Sequence, residues 1–167
     1  HAPVTLPARL STELPLVNTA AYDAYCQRYV DCYAGCLDGR TVAIYQHSSV
    51  GRDLFADLFQ RLGASVLALG RTDQFVPIDT ESVAEVDKEK ARVWSAQYNL
   101  DFIFSTDGDG DRPLLSDEHG QWLRGDIVGL LTAQALNIDA LAVPVSCNTA
   151  IEMSNNFSQV QRTQIGS

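Results

Sequence analysis

Residues 107–112 read Asp-Gly-Asp-Gly-Asp-Arg, three carboxylates at alternate positions with glycines between them. Alternate side chains of an extended backbone point the same way, so Asp107, Asp109 and Asp111 can converge on one point. Gly108 and Gly110 let the chain curl around that point without side-chain clashes. Carboxylates packed so closely repel one another unless a cation sits between them, and an all-oxygen set suits Mg²⁺, Ca²⁺ or Mn²⁺ rather than zinc. The sequence therefore predicts a divalent-cation site. A plain acidic turn is the alternative, because Asp-Gly pairs are common turn formers, although turns seldom double the pair and close it with an arginine.

The flanking residues say what kind of loop this is. Before it, residues 100–106 form a β-branched and aromatic run, Leu-Asp-Phe-Ile-Phe-Ser-Thr, which reads as a buried strand. After it, residues 113–117, a turn at 118–120 and residues 121–124 read as a hairpin. The loop is thus expected to join strand to strand. An EF-hand is the tempting rival, since Asp107, Asp109, Asp111 and Glu118 fall at its first, third, fifth and twelfth positions. It requires glycine at the sixth position, where Arg112 stands, and a helix on each side. Pro113 beside the loop, with its fixed φ and missing donor, also argues against it.

In this context the chain resembles the α-D-phosphohexomutases, a family that includes phosphomannomutase and phosphoglucomutase. Their metal loop has the form Asp-Gly-Asp-Gly-Asp-Arg, after an apolar strand and before a strand, an acidic-Gly turn and a Gly-Asp helix start. That order recurs here, with Asp117-Glu-His-Gly120 as the turn and Gly125-Asp126 opening the helix. Residues 140–152 and 160–167 resemble the opening of the family's third domain, including Arg-Thr-Gln-Ile-Gly at 162–166. The resemblance covers most of residues 40–167.

The resemblance implies transfer of a phosphoryl group between the C1 and C6 oxygens of a hexose phosphate, mannose or glucose, by way of a phosphoserine. Positioning and electrostatics dominate such chemistry. It implies that Asp107, Asp109 and Asp111 hold Mg²⁺ and that Arg112 complements charge on a phosphate; a salt bridge steadying the loop is the plainer role for Arg112. The family's phosphoserine loop, of the type Thr-x-Ser-His-Asn-Pro, does not occur here, nor do its sugar-reading and phosphate-gripping loops. The expectation is a middle section of a longer enzyme, inactive alone. The alternative is a non-catalytic divalent-cation-binding α/β domain. Gln164 stands where many relatives carry lysine and receives no role.

Composition agrees with a domain of ordinary size. The 167 residues are 46% hydrophobic, enough for one substantial core. No run of about 18 apolar residues suggests a membrane span, and no secretory pattern leads the chain, so a soluble protein without a membrane partner is expected. A net charge of −9, without a basic run, argues against a nucleic-acid partner. Cys26, Cys32, Cys36 and Cys147 form no Cys-x-x-Cys pair, which argues against zinc and for a reducing cytoplasmic compartment.

The elements that must position the loop alternate along the chain. Residues 1–17, with three prolines, read as a linker or tail. Helices are predicted over 19–37, 51–62, 80–99 and 127–136, with Asp126 as N-cap of the last, and strands over 41–45, 64–69 and 101–105. Short apolar strands between helices predict an α/β fold: a three-layer, mixed but mostly parallel sheet with helices on both faces. Residues 18–139 are expected to form this metal-binding domain. Residues 140–167 are expected to be the truncated start of a second, similar domain, a segment through which the chain could self-associate. Gln46-His-Ser-Ser-Val-Gly51 precedes a helix at a strand's carboxyl end, so Ser48 or Ser49 could contact phosphate or cap that helix, while His47 reads as structural.

Overall fold

The computed structural model describes residues 16–165. Residues 1–15, most of the expected linker, lie outside them; Leu16 and Val17 are exposed coil. Eleven elements follow: α1 (Ala20–Tyr33), β1 (Thr41–Tyr45), α2 (Arg52–Arg61), β2 (Ser65–Leu69), α3 (Glu85–Tyr98), β3 (Phe102–Thr106), β4 (Pro113–Leu115), α4 (Gly125–Ala135), β5 (Ala140–Pro144), α5 (Ala150–Met153) and β6 (Gln159–Thr163). The first four strands form one sheet in the order β2-β1-β3-β4, with β1 parallel to both neighbours and β4 antiparallel to β3. β5 and β6 form a separate parallel pair.

β1 lies inside the sheet and is covered on both faces. Val42, Ala43, Ile44 and Tyr45 are at most 2% exposed, as expected of a parallel strand covered on both faces. On one face Val42 and Ile44 pack with Phe55 and Phe59 of α2 and with Phe102 and Phe104 of β3. The Phe59 ring lies 4.9 Å from Phe104 and 6.1 Å from Phe102. On the other face Ala43, Tyr45 and Ile103 pack with Ala91 and Trp94 of α3. Helices thus cover both faces of a mostly parallel sheet, and the chain is α/β. α1 extends the α2 side, burying Cys26 against Leu58 and Leu62.

Three boundaries differ from expectation. α1 stops at Tyr33 rather than near residue 37, because Gly35 at φ +75° turns the chain first. α3 begins at Glu85 rather than residue 80. The Asp79 carboxylate accepts the Glu81 and Ser82 amides at 2.9 and 3.3 Å, holding that stretch in a turn. The expected return strand at 121–124 shrinks to a single bridge, Ser116 to Trp122. Gly120, at φ +72°, packs so closely on α3 that a Cβ would lie 2.4 Å from the Ala91 carbonyl carbon.

Strand order fixes where a ligand can sit. From β1 the chain leaves by α2 to one side, and from β2 it crosses by α3 to the other, so the connections diverge between β1 and β3. The crevice outside the carboxyl ends of such strands is where open α/β sheets bind ligands. Two loops meet there, residues 46–51 after β1 and residues 107–112 after β3, joined by the Val50 amide donating to the Gly108 carbonyl at 3.0 Å.

Candidate metal centre

The loop after β3 begins buried and ends exposed. Asp107 is 3% exposed, at the end of a strand whose last two residues, Ser105 and Thr106, are also buried. Its amide donates to the Arg112 carbonyl at 3.2 Å, closing the loop on the Thr106–Pro113 pair. Gly110 adopts φ +82°, a conformation costly for a side chain. Gly108 is under no such constraint: a Cβ there would meet Phe75 at an ordinary 3.5 Å.

This geometry brings Asp107, Asp109 and Asp111 together. One carboxylate oxygen from each lies within 4.8 Å of the others, and Asp109 and Asp111 are solvent-exposed. The set fits a hard divalent cation. In an octahedral Mg²⁺ site with ligands at about 2.1 Å, neighbouring oxygens lie about 3.0 Å apart and opposite ones about 4.2 Å, so the carboxylates need close by no more than about 1.8 Å, and larger Ca²⁺ needs less. The electrostatics show the strain of an uncompensated cluster. The charge on Asp109, with burial and Asp107 adding to it, pushes the Asp111 carboxyl up. Burial also pushes Asp107 up, but Arg112 and the Gly110 amide outweigh it and hold Asp107 below its ordinary value.

Arg112 sits where the salt-bridge alternative puts it. Its Nε donates to Asp107 Oδ2 at 2.7 Å, while Asp107 Oδ1 accepts the Gly110 and Arg112 amides. Its side chain nevertheless stays 57% exposed. It borders a cleft of about 600 Å³ together with Thr80, Glu81, Arg124, Asp126 and Cys147. Asp126 is not the N-cap of α4: Arg124 holds that position in extended conformation, and Asp126 lies in the first turn. There its carboxylate pairs with Arg124 at 3.1 Å and accepts the Asn148 amide at 2.8 Å, tying α4 to the loop before α5. A carboxylate in a first helical turn also meets the positive end of the helix dipole.

The serines of the preceding loop are committed to the fold. Ser48 Oγ accepts the Val76 amide at 2.9 Å, and Ser49 Oγ lies 2.8 Å from Thr106 Oγ1. Ser49 Oγ also accepts the amide of Gly51, the N-cap residue of α2, in a local turn before the helix; the expected side-chain cap is not made, because no side chain among the described residues caps α2. Arg162 is likewise engaged, by Glu152 at 2.6 Å and by the carbonyls of Pro144 and Cys147. Sequence reasoning missed the buried Asp87, whose carboxylate takes the Tyr45 hydroxyl at 2.8 Å and Lys90 at 2.9 Å. The i,i+3 spacing of Asp87 and Lys90 was its one visible signal.

Comparison with known proteins supplies the context for this loop. No protein-family model matches the chain. The chain is 54% identical to a phosphomannomutase of Salmonella muenchen over 152 residues, covering 90% of this chain and 32% of that protein. It is 38% identical to a phosphomannomutase of Sinorhizobium fredii, with the same two coverages. It belongs to the α-D-phosphohexomutase family over that part of its length. A crystal structure of a phosphoglucomutase/phosphomannomutase family protein from Burkholderia thailandensis superposes with a TM-score of 0.74 at 19% identity, over 87% of this chain and 33% of the other, and shares the fold. The chain therefore spans about a third of the length of the curated phosphohexomutases it matches (32%).

Proposed function

We propose that this chain is the Mg²⁺-holding portion of a phosphohexomutase that interconverts mannose or glucose 1- and 6-phosphates through a phosphoserine, and that it does not turn over alone. Convergence of the Asp107, Asp109 and Asp111 oxygens within 4.8 Å at the sheet's divergence point carries this reading. The family membership of the chain supports it. Bound there, Mg²⁺ supplies neutralisation of charge on the oxygens of a transferring phosphoryl group. Asp107 anchors the site from the buried end of β3, while Asp109 and Asp111 can swing from solvent. Arg112, exposed beyond its contact with Asp107, presents a fixed positive charge and N–H donors to a phosphate in the cleft it shares with Arg124.

In this reading residues 18–139 are one domain and residues 140–167 the start of another. The four cysteines stand free, which accords with a cytoplasmic location. Among the described residues no helix is long and apolar enough to cross a membrane. Leu131, Leu136, Ile138 and Val145, each at least 40% exposed around α4 and β5, are where self-association would occur. A sedimentation coefficient independent of concentration would exclude that.

The test of function pairs binding with turnover. Mg²⁺ titrated into the chain should bind, and Asp109→Asn should weaken binding while leaving the fold intact. Neither protein should convert mannose or glucose 1-phosphate with a sugar 1,6-bisphosphate present. Equal affinity of the two for Mg²⁺, or turnover by either, refutes the proposal.

A further inference from the structure

We infer that His47 and Ser49, in the loop between β1 and α2, are positioning residues that hold the backbone from which the three aspartates project. The inference rests on the reading of Asp107, Asp109 and Asp111 as cation ligands, and goes beyond it by assigning their support to a second loop.

His47 is fully buried, with Nε2 2.9 Å from the carbonyl oxygen of Thr106, the residue before Asp107. A carbonyl only accepts, so Nε2 carries the proton and donates it. Nδ1 is buried with no partner among the described residues, so the ring makes this one bond. Burial lowers the basicity of the ring, favouring its neutral form. The backbone at His47 takes φ +29°, an uncommon value for a residue with a side chain. The fold accepts this conformation where the ring reaches Thr106.

The hydrogen bonds at Ser49 run in one direction. Thr106 Oγ1 donates to the Asp107 carbonyl at 2.9 Å. Its single proton is then used, so the 2.8 Å contact with Ser49 has Ser49 donating and Thr106 accepting. Ser49 Oγ in turn accepts the Gly51 amide at 3.2 Å. The result is one directed chain, from the N-cap residue of α2 through two buried hydroxyls to the backbone of the first aspartate. With the Val50 amide on the Gly108 carbonyl, three successive carbonyls, at 106, 107 and 108, are each fixed by a bond made or oriented from the loop at 46–51.

The exposed half of the metal loop has no comparable support. Its hydrogen bonds run from Gly110 and Arg112 back to Asp107 itself. Placement of Asp109 and Asp111 therefore inherits whatever error enters at Thr106 and Asp107. Cation sites tolerate little such error, since residues that only orient ligands commonly change metal affinity by about 10- to 100-fold when replaced.

The test measures Mn²⁺ affinity by electron paramagnetic resonance in the wild-type chain and in Asp109→Asn, Ser49→Ala, His47→Leu and His47→Gln, each checked for folding by circular dichroism. Ser49→Ala and His47→Leu should each weaken Mn²⁺ by about tenfold. His47→Gln should recover most of the loss, because its amide nitrogen can reach the Thr106 carbonyl where Nε2 stood. Wild-type affinity in folded Ser49→Ala and His47→Leu overturns the inference while leaving the ligand reading in place. Should His47→Leu not fold, Ser49→Ala, which removes a single hydroxyl, decides alone. Wild type that binds no Mn²⁺, or Asp109→Asn that binds it equally well, overturns the ligand reading and the positioning inference together.

Discussion

β1 and β5 are both five-residue strands, Thr-Val-Ala-Ile-Tyr and Ala-Leu-Ala-Val-Pro, and by composition β5 is the more apolar, yet their fates differ. Four of the five residues of β1 are buried; none of β5 is. β1 has a strand on each side and a helix on each face, whereas among the described residues β5 pairs with β6 alone. Apolar side chains are stabilised by what covers them, at roughly 25 cal/mol per Å² removed from water. The lesson is that local sequence specifies a strand's existence and neighbours specify its worth. The loop at 107–112 belongs to the first region, at the end of β3 beside β1, and its first aspartate is buried there.

The sharpest way to break the contrast is to cut one large residue from each region. Ile103, fully buried between β1 and β4, should cost about 2–5 kcal/mol on replacement by alanine, read as a lower urea midpoint. Leu141→Ala in β5 should cost well under half of that. Equal losses would mean that the two sheets form one core.

A smaller effect should appear with pH, in the first region only. The buried His47 ring has its basicity lowered by desolvation, whereas in the unfolded chain it titrates near the ordinary value of about 6.5. Above that value neither state is protonated and His47 adds no slope. Below it the unfolded chain binds a proton that the folded chain refuses, so stability falls as pH drops from about 6.5 toward the folded value, by at most about 1.4 kcal/mol per pH unit. Urea unfolding at a series of pH values checks this, and His47→Gln should remove that component of the slope. An unchanged slope in the variant would show that the ring takes up its proton equally in the folded and unfolded chain.

The smallest global effect is expected at Arg162, which ties β6 to Glu152 and to the carbonyls of Pro144 and Cys147. Arg162→Ala should leave the main unfolding midpoint within about 0.5 kcal/mol. Amides of β5 and β6 should exchange faster with solvent while those of β1 do not, because exchange reports local opening where little is buried. Acceleration in both regions would erase the distinction.

What the sequence disclosed and what it hid follow the same division. The central strand at 41–45, the strand-to-strand setting of the loop at 107–112 and the convergence of Asp107, Asp109 and Asp111 were legible, because period-2 spacing and glycine placement are local signals. The start of α3 was not, since the Asp79 turn competes with a helical pattern that its neighbours equally satisfy. Nor was the buried face of α3, where Asp87, Ala91 and Ser95 face inward. That face depends on Tyr45, 42 positions from Asp87, supplying a hydroxyl. The Ser49–Thr106 contact joins residues 57 apart and left no local mark.

The central claim is that the three aspartates hold a divalent cation together, and the position of a bound ion tests it most directly. Crystals of the chain grown with Mn²⁺ should show an anomalous difference peak within about 2.3 Å of carboxylate oxygens from Asp107, Asp109 and Asp111, and at the same sub-saturating Mn²⁺ the peak should be lower in Asp109→Asn. An ion bound elsewhere, or no peak at this loop at saturating Mn²⁺, would contradict the account.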